Sequence, residues 1–251
     1  LPLLRGSVIM VESLVIGMRA LSFSAQAAGE EEEQMTKGEL IMTMLFSFLL
    51  AGLLFVVIPT GAAHLAERFT QNPVVFNLIE GGIRLMVFLL YIWGISFMQG
   101  IHRVFQYHGA EHKTIHCYEA GEALTVENVQ KFPRLHPRCG TNFLLIVMIV
   151  AIVFHVFFGW PDLWVRILSR LAVLPIVAGV SYELIRFAGR SESTLVRVAI
   201  TPGLLLQYLT TRPPDDEMVE VAIESLKAVL PPDEIPLGSG SYRKEAFCSI
   251  N

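Results

Sequence analysis

The sequence predicts an all-α membrane protein with about four transmembrane helices, and two observations carry this prediction. Hydrophobic residues make up 53% of the 251 residues, only 17% are charged, and the mean hydropathy is +0.54. The apolar residues also form long blocks, several of which reach the roughly 20 residues that a helix needs to cross a bilayer. Because lipid cannot hydrogen-bond free backbone groups, these blocks are expected to be helices.

Residues 1–38 are expected to form an interfacial helix and an acidic linker. The apolar pattern of residues 3–28 favours a helix, and three charged residues place it at the membrane surface: Arg5, Glu12 and Arg19. The run Glu30–Glu33 is typical of a solvated linker. The start shows neither an initiator methionine nor a signal-peptide cleavage pattern, so the chain is expected to begin inside a longer protein.

Residues 39–190 are expected to form a four-span membrane domain. The predicted spans are residues 40–58, 83–101, 143–160 and 164–187. Most of the basic residues between spans lie between the second and the third: Arg103, Lys113, Lys131, Arg134 and Arg138. The positive-inside rule therefore places this segment and both termini in the cytoplasm, on a protein of the cell membrane.

Residues 191–251 are expected to hold an interfacial or re-entrant segment, a soluble helix and a mobile tail. The apolar run after residue 191 is interrupted by Thr201-Pro202-Gly203, which argues against a fifth span. Acidic residues from Asp215 onward suit the first turn of a cytoplasmic amphipathic helix that ends at Pro231. Its predicted apolar face is Met218, Val221, Ala222, Ser225, Leu226 and Val229.

The main chemical feature is a row of histidines in the segment 102–142. His108, His112 and His116 are spaced four residues apart, so they share one face of a helix. Glu111 and Glu119 border this row. The helix of the second span is expected to continue into the row without a break and to end near Gly121.

The order His108-x-x-Glu111-His112 is the reversed zincin order, in which two histidines bind zinc and the glutamate acts as general base. We therefore predict a divalent metal site, zinc above all, with His108 and His112 as ligands and Glu111 as the catalytic base. His116 or Glu119 is expected to supply a further ligand. The alternative is a set of interfacial histidines that bind no metal.

A second cluster lies just before the third span, in the loop from Phe132 to Asn142. This loop carries His136 and Cys139 between turn-forming prolines, and both are candidate metal ligands. Arg134 and Arg138 are candidate binding residues for a phosphate or carboxylate substrate, or else topology determinants. The three cysteines form no disulfide framework, and the lack of a basic stripe gives no support for nucleic-acid binding.

The block FQYHGAEHKTIHCYEAGEALTVENVQKFPRLHPRCGTNF, residues 105–143, resembles the YqhQ family of bacterial membrane proteins, and the likeness extends over nearly the whole chain. The family is described only in general terms, as predicted metal-dependent enzymes. The resemblance implies that six residues stand at its signature positions without giving their roles: His108, Glu111, His112, His116, His136 and Cys139. Family members usually begin with a further segment rich in glycine and methionine.

Three functions remain open. The first is a metal-dependent hydrolase acting on a membrane peptide or a lipid-derived ester near the membrane surface. The second is a metal-stabilised membrane scaffold, either a homo-oligomer or bound to a membrane protein partner. The third is a transporter, which should line one path with polar residues in several spans, whereas the prediction places only His155 well inside a span.

Overall fold

The computed structural model describes residues 2–28, 36–68, 70–159, 163–188 and 193–236, and every regular element within these ranges is helical. The predicted acidic linker and the predicted tail beyond residue 236 lie outside the described residues. A π-helical turn at Leu53–Val57 joins the second helix to the third. The helices are α1 (Pro2–Ala28), α2 (Lys37–Gly52), α3 (Ile58–His64), α4 (Pro73–Ile95), α5 (Gln99–Glu119), α6 (Val126–Gln130), α7 (Gly140–Val156), α8 (Leu163–Ala188), α9 (Thr194–Thr210) and α10 (Asp216–Lys227).

The chain divides into two compact units. Unit 1 comprises Leu1–Leu90 and Phe143–Arg190, and unit 2 comprises Tyr91–Asn142 and Ser191–Asn251. This division differs from the boundaries drawn on the sequence, because the histidine-bearing segment groups with the C-terminal segment. The physical reason is the apolar core that α5 shares with α6 and α10.

Four helical segments of the described chain are long and apolar enough to cross a membrane: Arg5–Ser24, Ile41–His64, Pro73–Ile95 and Leu168–Ala188. The all-helical, four-span fold class is thereby confirmed, although the four candidate spans are not the same four segments that the sequence predicted. The first segment lies in α1, which was expected at the surface, while α7 is shorter, with 17 residues. Arg5, one of the charges behind the surface prediction, is paired with Glu183 of α8 at 2.7 Å.

Unit 1 contains a buried carboxylate that the sequence did not reveal. Glu80 of α4 is only 1% exposed, and its side chain accepts hydrogen bonds from Arg170 at 2.6 and 2.8 Å. Arg84 and Thr60 donate to the same carboxylate at 3.0 and 2.9 Å. Arg84 also donates from Nε to the carbonyl oxygen of Phe55 in the π-helical turn. Glu80 lay outside the predicted second span, because α4 begins ten residues earlier than that span.

The predicted continuous helix from the second span into the histidine row is wrong. α4 ends at Ile95, the chain turns at Ser96–Met98, and α5 begins at Gln99. Ser96 is buried, and its hydroxyl donates to the carbonyl oxygen of Trp93 at 2.7 Å. This bond gives a side-chain partner to a backbone carbonyl near the end of α4. The predicted end of α5 is confirmed, because Gly121 has a φ of 73° and supports a Schellman-type stop.

The predicted interruption at Thr201-Pro202-Gly203 is also wrong, since α9 runs through Pro202. The C-terminal amphipathic helix is confirmed as α10, capped by Asp215, whose side chain accepts from the Met218 amide at 2.9 Å. Its buried face differs from the predicted one. Met218, Val219 and Ile223 are buried, whereas Val221 and Val229 are exposed, because α10 packs on both α5 and α6.

Gly109 allows the chain after α9 to cross closely over α5. A Cβ atom at this position would collide with the carbonyl oxygen of Arg212, whose amide donates to the Phe105 carbonyl oxygen at 2.8 Å. We expect Gly109→Ala to destabilise the protein by about 1–3 kcal/mol through this overpacking. Thermal unfolding in detergent micelles measures the change.

Gly100 is the matched control, since it lies in the same helix and a Cβ atom added there would meet nothing within 4 Å. Gly100→Ala should stabilise α5 by up to about 1 kcal/mol, because alanine loses less backbone entropy. Equal unfolding temperatures for the two variants would contradict the close crossing.

Candidate metal centre

The two faces of α5 have different roles. Ala110, Cys117 and Tyr118 are buried in an apolar core with residues of α6 and α10. The opposite face carries the three histidines of the row and Glu119, as their spacing predicts. Packing of the apolar face therefore fixes the rotation of α5 and turns the histidines toward the loop at residues 131–139.

The C-terminal half of α9 holds this loop in place. The Gln207 side chain donates to the His136 carbonyl oxygen and accepts from the His136 amide, both at 2.7 Å. Lys113 donates to the carbonyl oxygens of Gln130 and Phe132 at 2.7 and 2.8 Å. Gln207 is fully buried, so both of its bonds form away from water. The loop is thus tied to α5 at one end and to α9 at the other.

The loop and α5 together form what we call the first ligand group, which consists of His108, His112 and Cys139. One potential ligand atom from each residue lies within 4.8 Å of the others. The Nε2 atom of His108 is 3.2 Å from the Cys139 sulfur, and the two imidazole ring centres are 4.4 Å apart. Two nitrogen donors and one sulfur donor are a set that suits zinc.

The Nδ1 atoms of His108 and His112 are both hydrogen-bonded to backbone carbonyl oxygens. The Nδ1 atom of His108 lies 2.8 Å from the Thr210 carbonyl oxygen, and that of His112 lies 2.5 Å from the Arg134 carbonyl oxygen. A carbonyl oxygen can only accept, so each Nδ1 carries a proton, and in a neutral ring each Nε2 is left with a lone pair. This is how metal-binding histidines are commonly oriented by their surroundings.

The thiol of Cys139 is held in a state suited to metal binding. Burial by itself would raise the pKa of Cys139, but hydrogen bonds with His108, His112 and Thr141 outweigh it and lower the pKa to about 5. The Thr141 amide donates to the sulfur at 3.4 Å. The thiolate, which is the form that binds metals, therefore predominates at neutral pH.

His116, Glu119 and His136 form the second ligand group, whose candidate ligand atoms also lie within 4.8 Å of one another. The His116 and His136 ring centres are 4.6 Å apart. The two groups are neighbours, since the rings of His112 and His136 are 5.8 Å apart. The structure thus divides the predicted ligands into two sets, which agrees with the difficulty of bringing all of them to one ion from a straight helix.

The second group satisfies its own polar atoms. The Arg138 amide donates to Nδ1 of His136 at 3.2 Å, so the proton of the neutral ring lies on Nε2, which faces a Glu119 oxygen at 3.4 Å. The other Glu119 oxygen accepts from the Arg138 guanidinium at 2.6 Å. Burial would raise the pKa of Glu119, but His136 and Arg138 lower it. The carboxylate stays ionised within this network.

The side chains of the remaining predicted site residues belong to neither ligand group. Glu111 is exposed and belongs to neither group; it lines a groove between α5 and α10 with a volume of about 350 Å³. The Arg134 guanidinium lies over the Tyr208 ring, 5.7 Å from its centre, and Arg138 is paired with Glu119. The base role of Glu111 and the substrate roles of both arginines stay predictions.

Two residues of α9 take part in the site without having been predicted. Gln207 holds the His136 backbone, and Thr210 presents the carbonyl oxygen that orients His108. For Gln207, the available signal in the sequence was a glutamine within an apolar helical segment. A backbone contact such as that of Thr210 leaves no signal in a single sequence.

We expect Gln207→Leu to lower metal affinity by about 10- to 100-fold, the usual effect of removing a residue that positions ligands. The change leaves the His136 amide and carbonyl without their buried partners and frees the loop. Gln130→Leu is the control, because Gln130 also bonds a backbone carbonyl, that of Pro214, but outside both ligand groups. Competition titration with a zinc indicator measures the zinc affinity of both variants. Equal affinities would contradict the role of Gln207.

These features define an all-helical protein whose four long apolar helices are compatible with a membrane protein, and whose second unit carries candidate metal-binding groups. A profile for DUF1385, described as a protein of unknown function, matches residues 1–232. The chain is also 37% identical over 245 residues to the uncharacterized protein YqhQ of Bacillus subtilis (strain 168), over 92% of this chain and 77% of the relative. The chain therefore belongs to the YqhQ family. No solved structure matches it.

Proposed function

We propose that unit 2 binds a divalent metal ion, zinc above all, through His108, His112 and Cys139. The observation that carries this proposal is the convergence of the inward Nε2 atoms of His108 and His112 on the Cys139 sulfur, while both rings hold a proton on Nδ1. One thiol proton could satisfy only one of the two inward nitrogens. A bound cation accounts for all three donors at once.

We further propose that the site belongs to a metal-dependent hydrolase. Three protein ligands leave a fourth position open, which is the arrangement of catalytic zinc sites, and a bound zinc ion supplies a Lewis acid that activates water. The neighbouring Glu119–His136 pair is placed to hold and move a proton beside the first ligand group. Arg138 keeps Glu119 ionised and thereby keeps His136 in the tautomer with its proton on Nε2.

The proposed substrates are membrane peptides or lipid-derived esters that reach the site from the bilayer. The support is the presence of four apolar helices in the same chain as the ligand groups. We also propose a cytoplasmic location for the site and both termini, because basic residues concentrate in the segment that carries it.

Metal analysis of the purified protein tests the first step. The wild type should hold close to one zinc ion per chain, and His108→Ala should hold less than about a tenth of that, because an outer-shell change alone costs 10- to 100-fold in affinity. Hydrolysis of a panel of fluorogenic esters and peptides tests the hydrolase proposal. The activity should be lost on chelation and restored by zinc. Equal metal content in the wild type and His108→Ala would contradict the proposed metal site.

The two glutamates can be separated by matched substitutions. If the Glu119–His136 pair moves the proton, Glu119→Gln should lower kcat by about 100-fold or more while zinc content is kept, since general acid–base catalysis contributes 10²–10⁴-fold. Glu111→Gln should then have a small effect. The reverse result would restore Glu111 as the base, as the motif order predicts.

A cysteine nucleophile is the second candidate function. Cys139 directly precedes the first residue of α7, lies 3.2 Å from His108 and has a pKa lowered to about 5. A histidine-paired, low-pKa cysteine next to a helix N-terminus is typical of thiol enzymes.

Alkylation kinetics separate the two candidates. In chelated protein, iodoacetamide should modify Cys139 with a half-maximal rate near pH 5, because the thiolate predominates above that pH. Cys117 should stay unmodified, since burial raises the pKa of its thiol to about 11. Protection of Cys139 by one equivalent of zinc favours the metal site, whereas an unchanged rate with zinc favours the nucleophile.

A further inference from the structure

An open pocket lies where α5 begins, apart from both ligand groups. Its volume is about 440 Å³, and it is lined by Ser96, Phe97, Gln99, His102 and Arg212. His102 precedes the first ligand of the row by six residues, which corresponds to a rise of about 9 Å along the helix. The pocket therefore needs an explanation of its own.

Arg212 brings a half-buried cationic group to this pocket. Its Nε atom is buried and has no hydrogen-bond acceptor among the described residues. Its backbone is fixed all the same, because the Arg212 amide donates to the Phe105 carbonyl oxygen at 2.8 Å. A guanidinium that lines a pocket and has no described acceptor for its Nε atom is suited to an anionic ligand.

The start of α5 adds further donors to the same pocket. Met98 is the N-cap residue and provides no side-chain cap, and the first intrahelical bond runs from the His102 amide to the Met98 carbonyl oxygen at 2.8 Å. The amides of residues 99–101 precede that bond and have no partner within the helix. The positive end of the α5 dipole therefore points in the direction of the pocket that Gln99 and His102 line.

We propose that this pocket binds a phosphate group. The planar guanidinium of Arg212 offers a fork of donors that matches two phosphate oxygens, and the imidazole of His102 and the free amides of α5 supply the others. A carboxylate would leave part of this donor set unused. The chemistry is shared by two sources, a phospholipid headgroup and a soluble phosphate.

The surroundings of the pocket favour the lipid headgroup. Phe97 and Met98 are 69% and 59% exposed, and Trp93, 53% exposed, contacts Phe97 edge to face at 5.0 Å. Exposed aromatic residues of this kind collect at membrane interfaces. The pocket also follows directly after α4, one of the helices long enough to cross a membrane. Acyl chains would thus have apolar contacts beside the phosphate.

Calorimetric titration of the full chain in detergent micelles tests the proposal. The probes are inorganic phosphate and dihexanoyl phosphatidic acid. Arg212→Gln should weaken binding by about tenfold or more, because it removes charge-assisted hydrogen bonds. Arg103→Gln is the matched control: it removes the same charge one residue from His102, but the Arg103 guanidinium lies over the Tyr107 ring, 5.9 Å from its centre. Its effect should stay within about twofold, as for a screened surface charge.

The two probes identify the source. Tighter binding of phosphatidic acid indicates a headgroup site, and equal binding indicates a site for soluble phosphate; both support the phosphate pocket. Failure of both probes to bind, or equal weakening by both arginine substitutions, would overturn it. Arg212→Lys is the control for misfolding, since it keeps the charge and should recover part of the phosphate affinity. Zinc content should be unchanged in all three variants, so this test stands independently of the metal site.

Discussion

Cys139→Ser is expected to lower zinc affinity by more than about 100-fold, because even changes around the ligands cost 10- to 100-fold. Serine is close to cysteine in size, so the loop should keep its contacts with Gln207. A serine hydroxyl remains protonated at neutral pH, however, and cannot replace the thiolate that the low pKa of Cys139 provides. Competition titration with a zinc indicator measures the affinity directly.

Cys117→Ser is the matched control for this experiment. Cys117 is also buried, but its sulfur contacts the carbonyl oxygens of Glu122 and Ala123 on the opposite face of α5. This variant should keep the wild-type zinc affinity. If both substitutions had the same effect, the loss would reflect a general disturbance of α5, and the first ligand group would lose its support.

Glu80→Gln is expected to destabilise unit 1 by about 3–5 kcal/mol, the usual cost of removing one partner from a buried ion pair. The carboxylate of Glu80 is the described counter-charge for both Arg84 and Arg170. Removal of its charge leaves two guanidinium groups inside helices that are apolar enough to cross a membrane. Such charges are expensive in a low-dielectric environment. Thermal unfolding in micelles measures the effect.

Glu224→Gln removes the same charge from an exposed pair. Glu224 contacts Lys227 at 2.9 Å on the surface of α10, and such pairs contribute at most about 1 kcal/mol. A loss at Glu80 no larger than the loss at Glu224 would show that the arginines are stabilised in another way.

Local patterns in the sequence were sufficient for most of the fold and for part of the site. The apolar blocks of α2 and α8 were recognisable because a spanning helix must be apolar along its whole length. The histidine row was recognisable because a spacing of four residues brings side chains to one face of a helix. Gly121 marked the end of α5, since its φ of 73° favours glycine.

Breaks in helices were harder to recognise. The turn at Ser96–Met98 contains no proline, and the Ser96 hydroxyl donates to a helix carbonyl there. Pro202, by contrast, suggested a break that does not occur, because a proline removes one backbone donor and the rest of α9 still packs. Both outcomes depend on contacts that a single local signal does not contain.

By itself, the sequence determined that His108, His112 and His116 share one face of a helix with Glu119 at its border, because that follows from helical geometry alone. Only the tertiary structure decided which of them belong together. His136 and Cys139 come from a loop whose position depends on Gln207, 71 residues away from His136 along the chain. Contacts over such separations are set by the packing of whole helices, and this packing divides the predicted ligands into two groups.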